Sequence, residues 1–382
     1  MKKIAIIIGT RPEVIKLAPV YLELKKSKTL KPILINTGQH KEMVSEMLNW
    51  FHIKEDFNLR LMTKNQTLPN LTSRVIEATT KVFHKLNPDI VMVEGDTASV
   101  MAASIAAFYQ KIPIAHVEAG LRTNNIYNPF PEEIARRLVS QLSAIHFAPT
   151  KDAVINLKKE NIVKNVYLTG NTVIDSLLYT ERRIKKIVKP EGEAVENTFS
   201  GLDFEKYKVV LVTMHRRENF GKSHREIAKM FIKILNTFPD VAILLPLHKN
   251  PKVRDVIRPV LENHPRVFLT EPLGYVPFVY AMKNSYLILS DSGGVQEEAP
   301  SFGKPVLVLR TTTERPEGIK AGCAKLVGIN PNNIFNETVK LLTHKKLYLK
   351  MAKTKNPYGD GMTSKRIVKV LSKILSSKEL KF

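Results

Sequence analysis

Short apolar runs recur along the chain and alternate with amphipathic segments, and this alternation restricts the possible folds more than any other feature. The first series of runs is Ile4–Ile8, Ile33–Asn36, Ile90–Val93, Ile114–Val117, Ile145–Ala148 and Val166–Leu168, and the second is Val209–Thr213, Val241–Pro246, Val267–Leu269, Leu287–Ser290 and Val306–Leu309. Runs of strand length that alternate with helical patterns predict parallel sheets with right-handed crossovers. We therefore expect an α/β protein with two doubly wound parallel sheets.

The alternation lapses between Glu191 and Lys208, in the polar stretch EGEAVENTFSGLDFEKYK, which predicts a domain boundary. We expect a Rossmann-like N-terminal domain at 1–172, a linker region at 173–208 and a Rossmann-like C-terminal domain at 209–362. A helical pattern that starts at Thr363 predicts a C-terminal helix, at about 363–382, that packs back on the first domain. Ligands bind beyond the carboxyl ends of parallel strands, so we expect the two domains to face a central cleft.

The composition excludes several classes of protein. The single cysteine among 382 residues, Cys323, forms no internal disulfide and offers no thiolate cluster for zinc, which suits a reducing cytoplasm. No run approaches the roughly 20 apolar residues of a membrane span, so we expect no membrane insertion. The net charge of +23 favours anionic partners. Because the basic residues are spread without interleaved aromatic residues, we do not expect nucleic acid among them.

The first predicted strand ends in a turn with phosphate-binding features. Gly9-Thr10 is followed by Arg11 and, at the start of a predicted helix, by Lys16. Cations beside the free N–H groups of a helix start suit a phosphate. The segment matches neither GxGxxG nor a P-loop, and a plain strand–helix turn with solvated cations explains it equally well.

Three acidic residues follow predicted strands of the first half: Asp96, Glu118 and Glu132. Arg136 lies one helical turn after Glu132, on the same face. Such carboxylates suit proton transfer at carbon, in which one group removes a proton and another returns it. A helix cap explains Asp96 as well, and a first-turn acid with an exposed ion pair explains Glu132 and Arg136.

The second half carries residues typical of nucleotide binding. A turn of Ser292, Gly293 and Gly294 lets a backbone approach a diphosphate closely, and Glu298 lies about one helical turn further on, where it suits ribose hydroxyls. A strand-end histidine followed by two arginines suits anionic oxygen, a later loop carries a cation, and an aromatic side chain suits a base; these residues are His215, Arg315 and Phe278. Metal-ligand spacing is absent from the sequence, so we expect no metal.

Nine motifs in order give the chain a family resemblance. They are GTRPEVIKLAP at 9–19, TGQH at 37–40, GDT at 95–97, HVEAGLRT at 116–123, PEE at 131–133, TGNTVID at 169–175, HRREN at 215–219, DSGGVQEEA at 291–299 and TTERPEG at 312–318. With them the chain resembles the non-hydrolysing UDP-N-acetylglucosamine (UDP-GlcNAc) 2-epimerases, whose two Rossmann-like lobes form the GT-B architecture.

The resemblance implies reversible inversion at C2 of UDP-GlcNAc without a cofactor, which gives UDP-N-acetylmannosamine (UDP-ManNAc) for cell-surface polysaccharide. UDP is eliminated to leave 2-acetamidoglucal and is then added back. The implied catalytic residues are Asp96, Glu118, Glu132, His215 and Arg136. The implied substrate-binding residues are Arg11, Lys16, Phe278, Ser292, Gly293, Gly294, Glu298 and Arg315.

Bacterial members of the family use UDP-GlcNAc as an allosteric activator as well. The resemblance implies that Gln39, Gln66 and Arg216 serve this second site, and we also expect a homodimer. Two positions depart from the family pattern, because Ala135 replaces an amide and Thr311 an acidic or amide residue.

Three alternatives stay open from the sequence. A C2 epimerase of a related UDP-2-acetamido sugar shares these motifs. A GT-B glycosyltransferase explains the Ser-Gly-Gly turn and Glu298 but does not require the three carboxylates. A non-catalytic nucleotide- or nucleic-acid-binding protein explains the positive charge alone.

Overall fold

The computed structural model describes residues 1–39, 41–63, 66–186, 198–214 and 222–377. They form two compact units. Unit 1 comprises Met1–Ser176 and the segment that begins at Tyr358, and unit 2 comprises Leu177–Pro357.

Unit 1 is a seven-stranded parallel sheet with helices between its strands. Its elements are β1 (Lys2–Ile8), α1 (Arg11–Leu24), β2 (Leu30–Asn36), α2 (Lys41–Trp50), β3 (Phe57–Asn58), α3 (Leu68–Leu86), β4 (Ile90–Glu94), α4 (Ala98–Tyr109), β5 (Ile114–Val117), α5 (Glu132–Leu142), β6 (Ile145–Ala148), α6 (Lys151–Lys159), β7 (Val166–Leu168) and the start of α7 (Thr172–Lys186), which belongs to unit 2 from Leu177 onwards. The strand order is β3-β2-β1-β4-β5-β6-β7. The order reverses direction between β1 and β4, which is where such sheets bind ligands.

Unit 2 is a six-stranded parallel sheet of order β10-β9-β8-β11-β12-β13. Its elements are β8 (Lys208–Thr213), α8 (Lys222–Thr237), β9 (Val241–Pro246), α9 (Pro251–Leu261), β10 (Val267–Thr270), α10 (Tyr275–Asn284), β11 (Leu287–Ser290), α11 (Gly293–Glu298) with a 3₁₀ turn (Ala299–Phe302), β12 (Val306–Val308), α12 (Pro316–Ala321), β13 (Ala324–Leu326), α13 (Pro331–Thr343) and α14 (Lys345–Ala352). Here the order reverses between β8 and β11.

The predicted fold class, two α/β units with parallel sheets, is confirmed. The central strands β1 and β8 are buried because helices cover both faces of each sheet. This burial explains the continuous apolar runs of the two strands. The first part of the predicted linker region at 173–208 is helical. Residues Thr172–Lys186 form α7, since the buried side chains of Val173, Ile174 and Leu177 give this stretch an apolar helical face.

The last described helix, α15 (Thr363–Ser376), belongs to unit 1 and packs against α1. The Asp175 carboxylate near the start of α7 accepts hydrogen bonds from Ser364 N (2.8 Å) and Ser364 Oγ (2.6 Å), and from Thr363 N (3.2 Å). One side chain therefore caps the N-terminus of α15 and fastens this helix to unit 1. Among the described residues, no helix is long and apolar enough to span a bilayer.

Candidate active site

The turn after β1 is held by its own carboxylate. Glu13 Oε2 accepts from Gly9 N (2.6 Å) and Thr10 N (3.0 Å), and Glu13 Oε1 accepts from Thr97 Oγ1 (2.7 Å). Burial raises the pKa of Glu13, and these hydrogen bonds oppose the rise. The sequence predicted that backbone N–H groups around the start of α1 bind a phosphate. Two of them, those of Gly9 and Thr10, bind Glu13 instead, while the Arg11 side chain beside them is half-buried.

A buried cluster of charges lies at the carboxyl edge of the same sheet. Lys16 Nζ on α1 contacts Glu94 Oε1 at 2.8 Å and Glu118 Oε2 at 2.6 Å. Asn171 Nδ2 donates to the other oxygen of Glu118 at 3.0 Å. Glu94 ends β4, and Glu118 follows β5 with a left-handed φ of +64°. Lys16, which the resemblance placed beside a diphosphate, therefore neutralises carboxylates in this structure.

Glu94 is the member of this cluster that sequence reasoning missed. Its pKa lies well above the usual range, chiefly because it is buried; Lys16 opposes this rise and Glu118 adds to it. The only sequence signal was an acidic residue at the end of an apolar strand, and the neighbouring Asp96 offered a simpler explanation of that motif.

Asp96 forms an ion pair with Arg136 of α5. It is not the N-cap of α4, because Thr97 occupies that position and its hydroxyl accepts from Val100 N at 3.2 Å. Arg136 also lies 3.4 Å from Glu133, so one guanidinium joins the turn after β4 to α5. The alternative of an exposed ion pair on α5 is wrong, because Arg136 is only 8% exposed.

Glu132 is the first residue of α5, as the sequence predicted. Its side chain is half-buried, and its Oε2 atom is buried without a hydrogen-bond partner. The next residue, Glu133, orders the preceding loop, since its carboxylate accepts from Thr123 N at 3.0 Å and from Asn124 N at 3.3 Å. The structure thus brings Asp96 and Arg136 together and places Glu132 at the start of the same helix.

His116 fixes the turn that carries Asp96. Its Nε2 lies 2.8 Å from the Gly95 carbonyl oxygen, and Gly95 N donates to Val117 O at 3.1 Å. Burial lowers the pKa of His116 to about 3 and that of His146, its neighbour across β5 and β6, to about 4. Both rings are therefore neutral near pH 7, and Nε2–H of His116 is the donor to Gly95. Sequence reasoning had assigned neither histidine a role.

The residues expected at a second nucleotide site lie in loops that touch one another. Gln39 Oε1 accepts from Ser99 Oγ at 2.7 Å, and Gln66 Oε1 accepts from Thr63 N at 3.3 Å. Leu61 N donates to the Thr37 carbonyl at 3.0 Å, which joins the two loops. His215 and Arg216, expected at the catalytic and second sites respectively, lie outside the described residues.

In unit 2 the Ser-Gly-Gly turn lies between β11 and α11. Ser292 is the N-cap of α11, and Ser292 N donates to Ser290 Oγ at 3.0 Å. Gly293 is buried, and a Cβ added there would lie 3.2 Å from Glu314 Oε1. Gly294 is exposed. The turn is therefore packed on one side and open on the other.

Arg315 lies beside this turn. Its guanidinium pairs with Glu297 of α11, and its Cζ lies 3.9 Å from the Cβ position of Gly293. Burial acts to raise the pKa of nearby Glu314, but Arg315 and Arg310 outweigh it and the pKa is lowered. The structure thus brings Arg315 to the Ser-Gly-Gly turn, as the expected diphosphate site requires.

The two remaining predicted residues of unit 2 lie near α10. Glu298 is buried. The pKa of nearby Tyr275 lies well above the usual range, chiefly because Tyr275 is itself buried and also because of the charge of Glu298. Phe278 is half-buried in the first turn of α10. A cavity of about 770 Å³ opens beside the edge strand β10, and its lining includes Pro272, Gly274 and Pro277 but not the Ser-Gly-Gly turn.

In the parts of the chain that the structure describes, no group of three or more His, Cys, Asp or Glu side chains is arranged to hold a metal ion.

Comparison with known proteins decides the family. The family model described as UDP-N-acetylglucosamine 2-epimerase matches residues 22–372. The UDP-N-acetylglucosamine 2-epimerase of Neisseria meningitidis serogroup A is 48% identical over 97% of this chain and 99% of its own length. The chain belongs to the UDP-N-acetylglucosamine 2-epimerase family. The predicted resemblance is therefore confirmed, and the family activity makes this protein an isomerase.

Two further relatives agree with this assignment. The UDP-N-acetylglucosamine 2-epimerase of Escherichia coli K12 is 43% identical over 97% of this chain and 98% of its own. The crystal structure of UDP-GlcNAc 2-epimerase from Neisseria meningitidis, bound to UDP-GlcNAc, matches with a TM-score of 0.89 and 48% identity, over 98% of this chain and 100% of that one. The fold of this family member thus matches that of a solved 2-epimerase along nearly its whole length.

The buried, neutral His116 predicts a dependence of stability on pH. Its pKa is about 3 in the folded chain and about 6.5 when unfolded, so only the unfolded chain binds this proton as the pH falls below about 6.5. The contribution of His116 to the free energy of unfolding should therefore be constant above that pH. Below it, the free energy of unfolding should fall by about 1.4 kcal/mol per pH unit because of this site. We expect His116→Gln to flatten the decrease by about this amount.

The measurement is urea unfolding of wild type and variant at about pH 7 and about pH 5. The matched control is His84→Gln, because His84 is exposed on α3 and should leave the decrease unchanged. An equally steep decrease in His116→Gln and in wild type would contradict a buried neutral imidazole at this position.

Proposed function

We propose that this chain interconverts UDP-GlcNAc and UDP-ManNAc by elimination and re-addition of UDP, and so supplies ManNAc units for cell-surface polysaccharide. A base removes the C2 proton, the C1–C2 double bond forms, and the C1–O bond breaks as UDP leaves with its electron pair. UDP then returns to C1 after a proton has reached the other face of C2. The observation that carries the proposal is the set of carboxylates at the carboxyl edge of the first sheet, in a chain of this family.

We assign the acid–base chemistry to the N-terminal domain, predicted at 1–172, with Asp96, Glu118 and Glu132 as its carboxylates. Lys16 and Asn171 both donate to Glu118, which favours its ionised form as a base. Arg136 orients Asp96, whose side chain is 24% exposed and thus open to a ligand. His215, outside the described residues, is proposed to stabilise the departing UDP.

We assign UDP binding to the C-terminal domain, predicted at 209–362. The open side of Gly293 and Gly294 admits a diphosphate to the backbone, and Arg315 next to it supplies positive charge. We propose that Ser292 and Arg11 contact the diphosphate and that Lys16, which also binds Glu94 and Glu118, lies near it. Glu298 is proposed to bind the ribose and Phe278 the base. Binding of this kind stabilises the charge that develops on the leaving UDP.

The proposal predicts exchange of the C2 proton with solvent. Proton NMR of the protein with UDP-GlcNAc in deuterated water should show UDP-ManNAc and deuterium at C2. Asp96→Asn and Glu118→Gln should lower turnover about a hundredfold or more, the usual effect of losing an acid or base, with little change in UDP affinity.

The matched control is Glu77→Gln, since Glu77 is exposed on α3. Wild-type turnover in both variants would remove Asp96 and Glu118 from the chemistry. An unaltered wild-type spectrum would contradict UDP-GlcNAc as the substrate and favour a related UDP-2-acetamido sugar. Ala135 and Thr311 are then the residues expected to determine sugar specificity. Glycosyl transfer that requires an added acceptor would instead support the glycosyltransferase alternative.

We also propose that UDP-GlcNAc activates the enzyme at a second site formed by Gln39, Gln66 and Arg216. The joined loops that carry the two glutamines support this. Initial rates with UDP-ManNAc alone should be sigmoidal and become hyperbolic with a trace of UDP-GlcNAc, and Gln39→Ala should reduce that effect. Glu77→Gln, at an exposed position of α3, is the control. Hyperbolic rates that a trace of UDP-GlcNAc leaves unchanged would contradict activation.

A homodimer is proposed on the evidence of exposed apolar side chains on two adjacent helices. Phe108 and Tyr109 end α4, Ile134 and Leu138 lie one turn apart on α5, and the two helices pack together. Large exposed apolar groups favour association. Sedimentation equilibrium should give twice the chain mass, and Leu138→Asp should shift it towards one chain, whereas a monomeric wild type would exclude the dimer.

The proposed location is the cytoplasm. The single cysteine, Cys323, is free and buried, so the chain contains no internal disulfide that would require an oxidising compartment.

A further inference from the structure

Glu94 is a buried acid at the end of β4 to which the proposed chemistry gives no role. Its side chain is 2% exposed, and its Oε1 atom lies 2.8 Å from Lys16 Nζ. The same ammonium lies 2.6 Å from Glu118 Oε2. The two carboxyl groups therefore face one cation, away from water.

We propose that Glu94 is a positioning residue that carries a proton, donates a hydrogen bond to Glu118 and so keeps Glu118 ionised for the epimerisation. This inference rests on the proposed function, because it concerns the state of the proposed base.

Charge balance is the first argument. Two carboxylates and one ammonium would leave this desolvated cluster with an excess negative charge, which is unfavourable in a medium of low polarity. One bound proton makes the cluster neutral without moving any heavy atom.

The hydrogen bonds decide which carboxyl holds that proton. Glu118 accepts from Lys16 at 2.6 Å and from Asn171 at 3.0 Å, and two donors favour its ionised form. Glu94 accepts from Lys16 at 2.8 Å and is the more buried of the two, with 2% against 6% of its side chain exposed. The proton therefore belongs on Glu94.

The charges around Glu94 agree with this assignment. Burial raises its pKa most. Lys16 of α1 lowers the pKa, whereas Glu118 raises it by its charge and by a side-chain hydrogen bond with Glu94, and the net direction is well above the usual range. His116 of β5 is neutral near pH 7, since burial lowers its pKa to about 3. From α5, Arg136 is paired with Asp96. Lys16 is thus the cation that contacts Glu94 directly.

The experiment compares two substitutions at one position by their kcat, KM and pH dependence. In Glu94→Gln the amide still donates to Glu118, so this variant should keep most of its turnover, and the acid limb of its kcat profile should stay in place. In Glu94→Ala the donor is lost and the pKa of Glu118 rises. We expect kcat to fall about tenfold or more with KM nearly unchanged, and the acid limb to move to higher pH.

Glu77→Gln serves as the control for a change of charge at an exposed site. Two outcomes would overturn the inference: wild-type kcat and acid limb in Glu94→Ala, or equal loss of kcat in both variants, which would show that the charge of Glu94 is needed. If Glu94→Ala does not fold, Glu94→Gln decides, because a shift of its acid limb to lower pH would show that Glu94 was ionised. Wild type without turnover of UDP-GlcNAc would instead be a failure of the proposed function.

Discussion

The ammonium group of Lys16 holds together the carboxyl edge of the first sheet. It contacts Glu94 at the end of β4 and Glu118 after β5, and Glu118 in turn binds Asn171 at the start of α7. Four segments that are far apart in sequence thereby meet at one buried charge. Removal of such a partner from buried carboxylates typically costs about 3–5 kcal/mol, so the same contact supports both the fold and the site.

A second set of contacts gives this edge its rigidity. The Glu13 carboxylate accepts hydrogen bonds from the turn after β1 and from Thr97 after β4. His116 binds the carbonyl oxygen of Gly95, and the carbonyl oxygen of Val117 accepts from Gly95 N. The Glu13 carboxylate and the Nε2 atom of His116 are buried and hydrogen-bonded to neighbouring turns, which makes their positions well defined. Asp96 is thus presented from a fixed turn, with Arg136 to orient it, and a reaction that needs acids on defined faces of one carbon requires such order.

The sequence predicted the strands well because parallel strands covered on both faces must be apolar throughout. Val241–Pro246 and Leu287–Ser290 were predicted with the bounds that the structure has. The strands Phe57–Asn58 and Ala324–Leu326 escaped prediction because neither is a continuous apolar run: Asn58 ends the first, and Lys325 interrupts the second. The two units meet within the predicted linker region at 173–208, since the helix that begins at Thr172 belongs to unit 1 up to Ser176 and to unit 2 beyond it.

Strand-end position was enough to single out Asp96 and Glu118, but not to find their supporting contacts. Whether Lys16 meets a phosphate or a carboxylate depends on which side chains three other segments bring to it, and Glu94 is recognised only when its neighbours are known. The role of Glu13 was likewise hidden, because its partners are backbone N–H groups, which are the same for every sequence. The positions of His215 and Arg216 stay predictions.

The attachment of α15 to Asp175 has a consequence for biosynthesis. Unit 1 is interrupted by the whole of unit 2, because its last helix follows 181 residues of the other unit, Leu177–Pro357. A ribosome therefore releases all seven strands of the first sheet early, but the packing of unit 1 is completed last, after unit 2 has emerged. The face of α1 that α15 covers stays exposed to the cell during that interval, so the domain that begins first on the ribosome is the one that depends longest on the rest of the chain.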